Sequence, residues 1–363
     1  MRLTGAHRPR PDGRAPLAAA ARWLTTPLLP EDYLGWVNPL WSAAQPCGRV
    51  EAVRAETRDS ATLVIRPGRG WAPHRPGQWI RVGVEIDGAR HWRSFSLSAP
   101  PRRDGRIMIT VKATPGGLVS PHLVRRTAPG SLVRLGRPDG GFVLPLPRPR
   151  RALFVTAGSG ITPVMAMLTD LAAAGMPTDA VLIHSAPTAE DVIFGGALRA
   201  MAARFPSLRL YERHTREDGR LTAADIAELC PDWADRPAWA CGPPGLLADL
   251  TRHWEDHGVA AHLHTEHFQV LRHPGGTDGG GQVRFTVSGK VAETGGGTTL
   301  LEAGEAAGVL MPSGCRMGIC RTCVTPLGAG TVRDVRTGEL HDGQGQHVQT
   351  CVTTAVGPVD LHR

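Results

Sequence analysis

The sequence predicts a multi-domain chain of β and α/β class: an antiparallel β-barrel, then a parallel α/β unit, then a small C-terminal unit. Three observations predict it. Short apolar runs of period two, separated by glycine turns, fill residues 48–147. From Arg151 onward, strand and helix patterns alternate. Four cysteines, Cys315, Cys320, Cys323 and Cys351, lie together near the C-terminus.

In the first unit, Ile107, Ile109 and Val111 share one strand face, and Asp87-Gly88 and Asp104-Gly105 are turn signals. In the second, strands are expected at 153–157, 181–184, 208–211 and 238–241. Helices are expected from the 158–163 turn to about Ala174, and at 197–205, 223–229 and 246–257. This order suits a parallel sheet with helices on both faces. In the third, strands at 283–287 and 290–293 flank Ser288-Gly289, and Thr299-Leu-Leu-Glu302 is a capping box for a helix ending near Gly308. The boundaries are therefore an extension at 1–44 (with a short helix at 17–26), the barrel at 45–147, the α/β unit at 148–270, a Gly-rich linker at 271–282 and the C-terminal unit at 283–363.

Apolar residues make up 41% and charged residues 20% of the 363, as expected of globular domains. No apolar run is long enough to span a membrane, and the basic N-terminus lacks the continuous apolar stretch of a secretory signal, so a cytoplasmic protein is expected. The net charge is +8, yet Lys112 and Lys290 are the only lysines. The arginines are scattered with no basic run or aromatic-interleaved stripe, which argues against nucleic acid as a partner.

Cys315-x4-Cys320-x2-Cys323, with Cys351 after 27 further residues, has the plant-type spacing of a [2Fe–2S] site. Four thiolates must converge on two irons within a tight loop, and Gly314 and Gly318 permit a close backbone approach. Cys320-x2-Cys323 alone would also suit zinc or a redox dithiol; the x4 step and the distant fourth cysteine favour the cluster.

Arg93-Ser94-Phe95-Ser96-Leu97-Ser98 places an arginine and hydroxyls where they can hold a pyrophosphate, with an aromatic ring between them to lie on a flat ring system. Gly116-Gly117-Leu118-Val119-Ser120 opens a helix to about Arg126, either as a second anion site or as a plain N-cap at Ser120. Gly158-Ser159-Gly160-Ile161-Thr162-Pro163 joins a strand to a helix, and Cys241-Gly242-Pro243-Pro244-Gly245 makes a second turn of that kind. Both suit a pyrophosphate at parallel strand ends, although a tight turn alone needs only one such glycine. Strand 181–184 runs into Ser185-Ala186 without an acidic residue, while Arg213 and Arg216 follow a later strand, a pattern leaning to NADPH over NADH.

The Arg93–Ser96 and Gly117–Ser120 motifs resemble signatures of the ferredoxin–NADP reductase superfamily, and residues 283–363 resemble a β-grasp ferredoxin. The resemblance implies an antiparallel β-barrel flavin domain, a parallel α/β nucleotide domain and a β-grasp ferredoxin domain. It implies that Arg93 and Ser96 hold FAD phosphates, that Phe95 (in place of the commoner tyrosine) stacks on the isoalloxazine, and that Gly116, Gly117 and Ser120 form a second phosphate site. It further implies that Gly158–Pro163 and Cys241–Pro243 take NAD(P)H, that Cys241 positions the nicotinamide, and that Glu266 and Phe268 lie beside the flavin. Cys315, Cys320, Cys323 and Cys351 would hold the cluster.

The domain order resembles the reductase components of multicomponent oxygenases. The Pro30-Glu31-Asp32-Tyr33-Leu34-Gly35-Trp36 segment and the 315–320 loop resemble actinobacterial reductases serving acyl-lipid desaturases and related hydroxylases. An electron-acceptor protein, either soluble or membrane-bound itself, is the expected partner. The alternatives are a P450 or Rieske oxygenase as acceptor, and a redox-sensing regulator that does not turn over.

Overall fold

The computed structural model describes residues 37–41, 46–268, 279–314, 316–318, 321–343 and 345–363. The expected helix at 17–26, the 30–36 segment, residues 271–278 of the expected linker, Cys315 and Cys320 lie outside the described residues.

The first sheet holds β1 (Cys47–Thr57), β2 (Ser60–Pro67), β3 (Trp79–Ile86), β4 (Ala89–Ser96), β5 (Ile107–Lys112) and, after helix α1 (Val119–Arg125), β6 (Leu132–Leu135). Its order is β4-β3-β6-β1-β2-β5, antiparallel throughout. A bridge between Leu97, just past β4, and Ile109 of β5 brings the two edges together, closing the sheet into a barrel. Asp87 and Gly88 both have positive φ (51° and 76°), as a two-residue hairpin loop between right-twisted strands requires. The β pattern expected to residue 147 stops earlier. After Leu135 the chain forms no further strand before Arg151 and makes a single bridge, Trp79 to Asp139.

The second sheet is parallel, with β7 (Arg151–Ala157), β8 (Asp179–Ala186), β9 (Leu208–His214), β10 (Ala238–Cys241) and β11 (Leu263–Glu266) in the order β11-β10-β7-β8-β9. Helices α2 (Ile161–Ala173), α3 (Gly195–Arg204), α4 (Ala223–Leu229) and α5 (Pro244–Asp256) cover its two faces. Strand alternation sorts the core. Phe154, Leu182 and Cys241 pack with residues of α2 and α3, while Leu153, Val181 and Ala240 pack with residues of α4 and α5. Each fully buried Leu, Val or Phe contributes about 1.5–3 kcal/mol. Strand order reverses between β7 and β10, so the crevice at their C-terminal ends is the sheet's switch point.

The third sheet is mixed. Strands β12 (Gly280–Phe285) and β13 (Lys290–Gly295) form the hairpin, helix α6 (Leu300–Ala306) follows, and β14 (Val324–Asp334), β15 (Leu340–Asp342), β16 (His347–Gln349) and β17 (Thr353–Leu361) complete it. The capping box is present: Thr299 Oγ1 accepts from the Glu302 amide, and the Glu302 carboxylate accepts from the Thr299 amide. Such a cap contributes about 1 kcal/mol. The linker expected at 271–282 is too long at its C-terminal end, because Gly280 to Gln282 belong to β12 and pair with β13. Glycine is needed there for conformation. Gly280 and Gly281 have φ of +111° and +152°, and a Cβ on either would strike a carbonyl oxygen, of Thr294 or of Gly357. Among the described residues no helix is long and apolar enough to cross a membrane.

Candidate active site

A cavity of about 420 Å³ opens where the barrel, the parallel sheet and the cysteine loop meet. Strands β3 and β4 give it Trp79, Arg93, Ser94, Phe95 and Ser96, and Gly140, Gly141 and Phe142 form another part of its wall. The end of β11 adds Thr265, Glu266, His267 and Phe268, and Met317 reaches it from the cysteine loop. Of the residues singled out in the sequence, Arg93, Phe95, Ser96, Glu266 and Phe268 are thus brought together. Trp79, Gly140, Met317 and His267 were not anticipated. Gly140 is required for shape, since it has φ +108° and a Cβ there would sit 2.8 Å from the Trp79 indole.

Two motif residues face elsewhere. Leu97 is wholly buried in the barrel core. Ser98 is buried, and its hydroxyl accepts from Thr110 Oγ1 at 2.8 Å. Strand β4 ends at Ser96, so the motif turns inward after that point. Gly116, Gly117 and Ser120 also lie outside the cavity wall. Thr114-Pro115-Gly116-Gly117 is a turn in which the Gly117 amide donates to Thr114 O (3.0 Å) and Gly116 has φ +70°. The N-cap reading of Ser120 does not hold. Leu118 occupies the N-cap, and Ser120 Oγ instead accepts from the Thr114 amide at 3.1 Å, bracing the preceding turn.

The electrostatics suit an aromatic ligand with an anionic arm. Burial, with Arg316 nearby, brings the Arg93 guanidinium down to about 10, and its Nη1 donates to Trp92 O at 2.7 Å. Burial raises Glu266 to about 8, against the opposing effect of the Ser96 hydroxyl, so this carboxyl holds its proton through neutral pH. Ser94 Oγ, Glu266 Oε2 and His267 Nδ1 are buried without a hydrogen-bond partner. Orphaned polar atoms of this kind around an aromatic-walled cavity fit a flavin, whose ring edge and phosphates supply complementary groups.

At the switch point the two predicted turns meet. Gly158 has φ +53° with open space where a Cβ would stand. A Cβ on Gly160 would lie 2.0 Å from Cys241 O, which measures how closely the two turns approach. Thr162 Oγ1 donates to Ser159 O at 2.9 Å, and Pro163 sits in the first turn of α2. A Cβ on Gly242 would meet Ala157 at 3.2 Å, and Pro243 occupies the N-cap position of α5. Cys241 is fully buried beside Glu266 in the strand register. Burial, and then Glu266, push its thiol well above the ordinary value, so it shapes the site as a neutral group. The cleft, two glycine turns at parallel strand ends, fits a dinucleotide pyrophosphate. Arg213 is engaged internally, donating to Asp225 Oδ1 at 3.2 Å, whereas Arg216 beyond β9 is exposed.

In the third unit Cys323 and Cys351 are buried, with their sulfurs 3.2 Å apart. Gly318, on the loop between the cysteines, has φ +74°, and its carbonyl accepts from Gln349 Nε2 (2.9 Å) and Arg336 Nη1 (3.2 Å). Two converging buried thiols beside a braced glycine loop fit the donor set of an iron–sulfur site.

The fold and site define a modular oxidoreductase: a flavin barrel, a pyridine-nucleotide domain and an iron–sulfur domain in one chain. Family models match accordingly, for an oxidoreductase FAD-binding domain (72–144), an oxidoreductase NAD-binding domain (154–252) and a 2Fe-2S iron-sulfur cluster binding domain (285–356). An "NADPH oxidoreductase" of Mycobacterium tuberculosis is 50% identical over 360 residues, 98% of this chain and 93% of that protein. The "3-ketosteroid-9-alpha-monooxygenase, ferredoxin reductase component" of the same species is 33% identical over 279 residues, 71% of this chain and 76% of that one. The solved phthalate dioxygenase reductase shares the fold, with a TM-score of 0.64 at 24% identity over 87% of this chain and 97% of that one. The chain belongs to the ferredoxin–NADP reductase superfamily, in the branch with a C-terminal [2Fe–2S] domain, and is an NAD(P)H oxidoreductase of ferredoxin-reductase type.

Glu266 gives the site a pH signature. Its carboxyl binds a proton more tightly in the folded chain (about 8) than at the ordinary value of 4.5. Unfolding therefore releases a proton between those limits, and stability falls as pH rises through that window. In urea denaturation at pH 5.5 and 8.5, Glu266→Gln is expected to lose less stability than the unaltered protein over the same interval. Equal losses would show that Glu266 is not desolvated.

Proposed function

We propose that this chain is an NADPH-dependent reductase that delivers single electrons, through its flavin and cluster, to a partner metal-dependent oxygenase, with a desaturase or hydroxylase as the acceptor class. The observation that carries this reading is Met317: a residue of the cysteine loop borders the same cavity as Phe95 and Glu266. A flavin bound there supplies the exchange between two-electron and one-electron chemistry, and the cluster a one-electron carrier. Arg93 and Ser96 would hold the flavin phosphates, Phe95 and Phe268 its ring, and protonated Glu266 would offer a hydrogen bond at the ring edge. Gly158–Gly160 and Gly242-Pro243 would hold the dinucleotide backbone, with Cys241 helping to position the nicotinamide and Arg216 available to a 2′-phosphate. Cys315 and Cys320 would complete the thiolate set of Cys323 and Cys351.

The NADPH choice is supported by the 50%-identical relative, an NADPH oxidoreductase, and by exposed Arg216. A Rieske-type or P450 monooxygenase is a second reading of the partner. It is favoured by the 33%-identical relative reported above, whose name makes it the ferredoxin reductase component of a monooxygenase. Anaerobic titration of purified protein with NADPH, and separately NADH, tests the proposal. Flavin and cluster absorbance are expected to bleach together, at lower concentrations of NADPH. Flavin bleaching with no iron–sulfur band would overturn the route through the cysteines, and equal response to NADH would overturn the cofactor choice.

A further inference from the structure

On the outer face of the barrel, strand β3 buries Val82, Val84 and Ile86 and turns Arg81, Gly83 and Glu85 outward. Gly83 lies opposite Trp92 of β4. A Cβ on Gly83 would stand 3.0 Å from two carbons of that indole, so glycine is what lets the ring lie down on the sheet. The Arg81 guanidinium carbon then sits 5.8 Å from the Trp92 ring centroid, within cation–π range. From this platform Arg81 Nη1 donates 3.0 Å to Thr322 Oγ1. Thr322 immediately precedes Cys323, and Met317 on the same loop borders the flavin cavity. Arg81, Gly83 and Trp92 do not line that cavity and belong to neither phosphate motif.

We propose that Arg81, braced on Trp92 over Gly83, is a positioning residue that latches the cysteine loop against the flavin cavity and so fixes the spacing between the two redox centres. The latch rests on the electron route proposed above. A charge-bearing donor held over an aromatic ring is partly pre-organised, so its bond to Thr322 forms with less further ordering. Its backbone is fixed as well, because Gly136 N–H donates to Arg81 O at 2.7 Å, tying β3 to the residue after β6.

The test uses the full chain with both cofactors, comparing Arg81→Ala and Arg81→Lys with the unaltered protein. After anaerobic mixing with NADPH, flavin bleaching is expected at an unchanged rate, while cluster bleaching slows about tenfold in Arg81→Ala, the effect of losing one charge-assisted hydrogen bond from the docked state. Arg81→Lys, which keeps a cation but not the planar fork, is expected to fall between. Hydrogen exchange at residues 316–318 and 321–323 should rise in Arg81→Ala, a readout independent of turnover. Unchanged cluster bleaching together with unchanged exchange overturns the latch. If the unaltered cluster fails to bleach at all, the electron route itself is wrong, and raised exchange in Arg81→Ala would still support the contact.

Discussion

Cys351→Ser is expected to abolish NADPH-driven reduction of a protein acceptor while leaving ferricyanide reduction by the flavin intact. Cys351 is buried, and its sulfur lies 3.2 Å from that of Cys323, so a serine would put a poorer, harder ligand in a site with no room to rearrange. Iron content should drop towards zero. Because metal binding at such sites is coupled to folding, the melting of the C-terminal unit should also shift downward. Paired assays with ferricyanide and with a one-electron protein acceptor separate the two halves of the route. Equal loss of both activities would refute the division of labour between barrel and cluster.

Gly160→Ala is expected to slow hydride-dependent flavin bleaching on the order of 100-fold, the penalty of shifting reacting groups by about 1 Å. The added methyl would lie 2.0 Å from Cys241 O, a backbone atom that cannot rotate away, so the Gly158–Gly160 turn and the Cys241-Gly242 turn must part. Overpacking at this contact should also cost about 1–3 kcal/mol of stability. Chemical reduction by dithionite bypasses the nucleotide cleft, so cluster bleaching with that reductant should match the unaltered protein. A wild-type rate with NADPH would show that the two turns do not form the hydride-donor site.

The sequence was most legible where local chemistry and tertiary structure agree. The helix at Ala223–Leu229 and the strand at Ala238–Cys241 have the expected bounds, and the Thr299–Glu302 box caps its helix. These depend on short-range hydrogen bonds or continuous apolar runs. The cavity was half legible. Arg93, Phe95 and Ser96 stand out because an arginine and a hydroxyl flank a ring, but Trp79 and Met317 reach the cavity only through strand pairing and the approach of the third sheet, which no local pattern encodes. Leu97 and Ser98 turn their side chains into the barrel, which a motif of six consecutive residues does not reveal, because the strand ends at Ser96. Gly280 and Gly281 misled in the other direction. Their composition suits a linker, yet a backbone can pair in a sheet without side chains.

The cavity has walls from all three units: Trp79 and Phe95 from the barrel, Glu266 from the parallel sheet and Met317 from the cysteine loop. A ligand filling it contributes its binding free energy only when all three walls are in place. By mass action, each tenfold excess of ligand over its dissociation constant then adds about 1.4 kcal/mol to the assembled arrangement. Cofactor supply thereby becomes a determinant of assembly. A chain starved of its prosthetic group loses that added tether among its units, and the direct contacts between them, such as Arg81 to Thr322, must hold the arrangement alone.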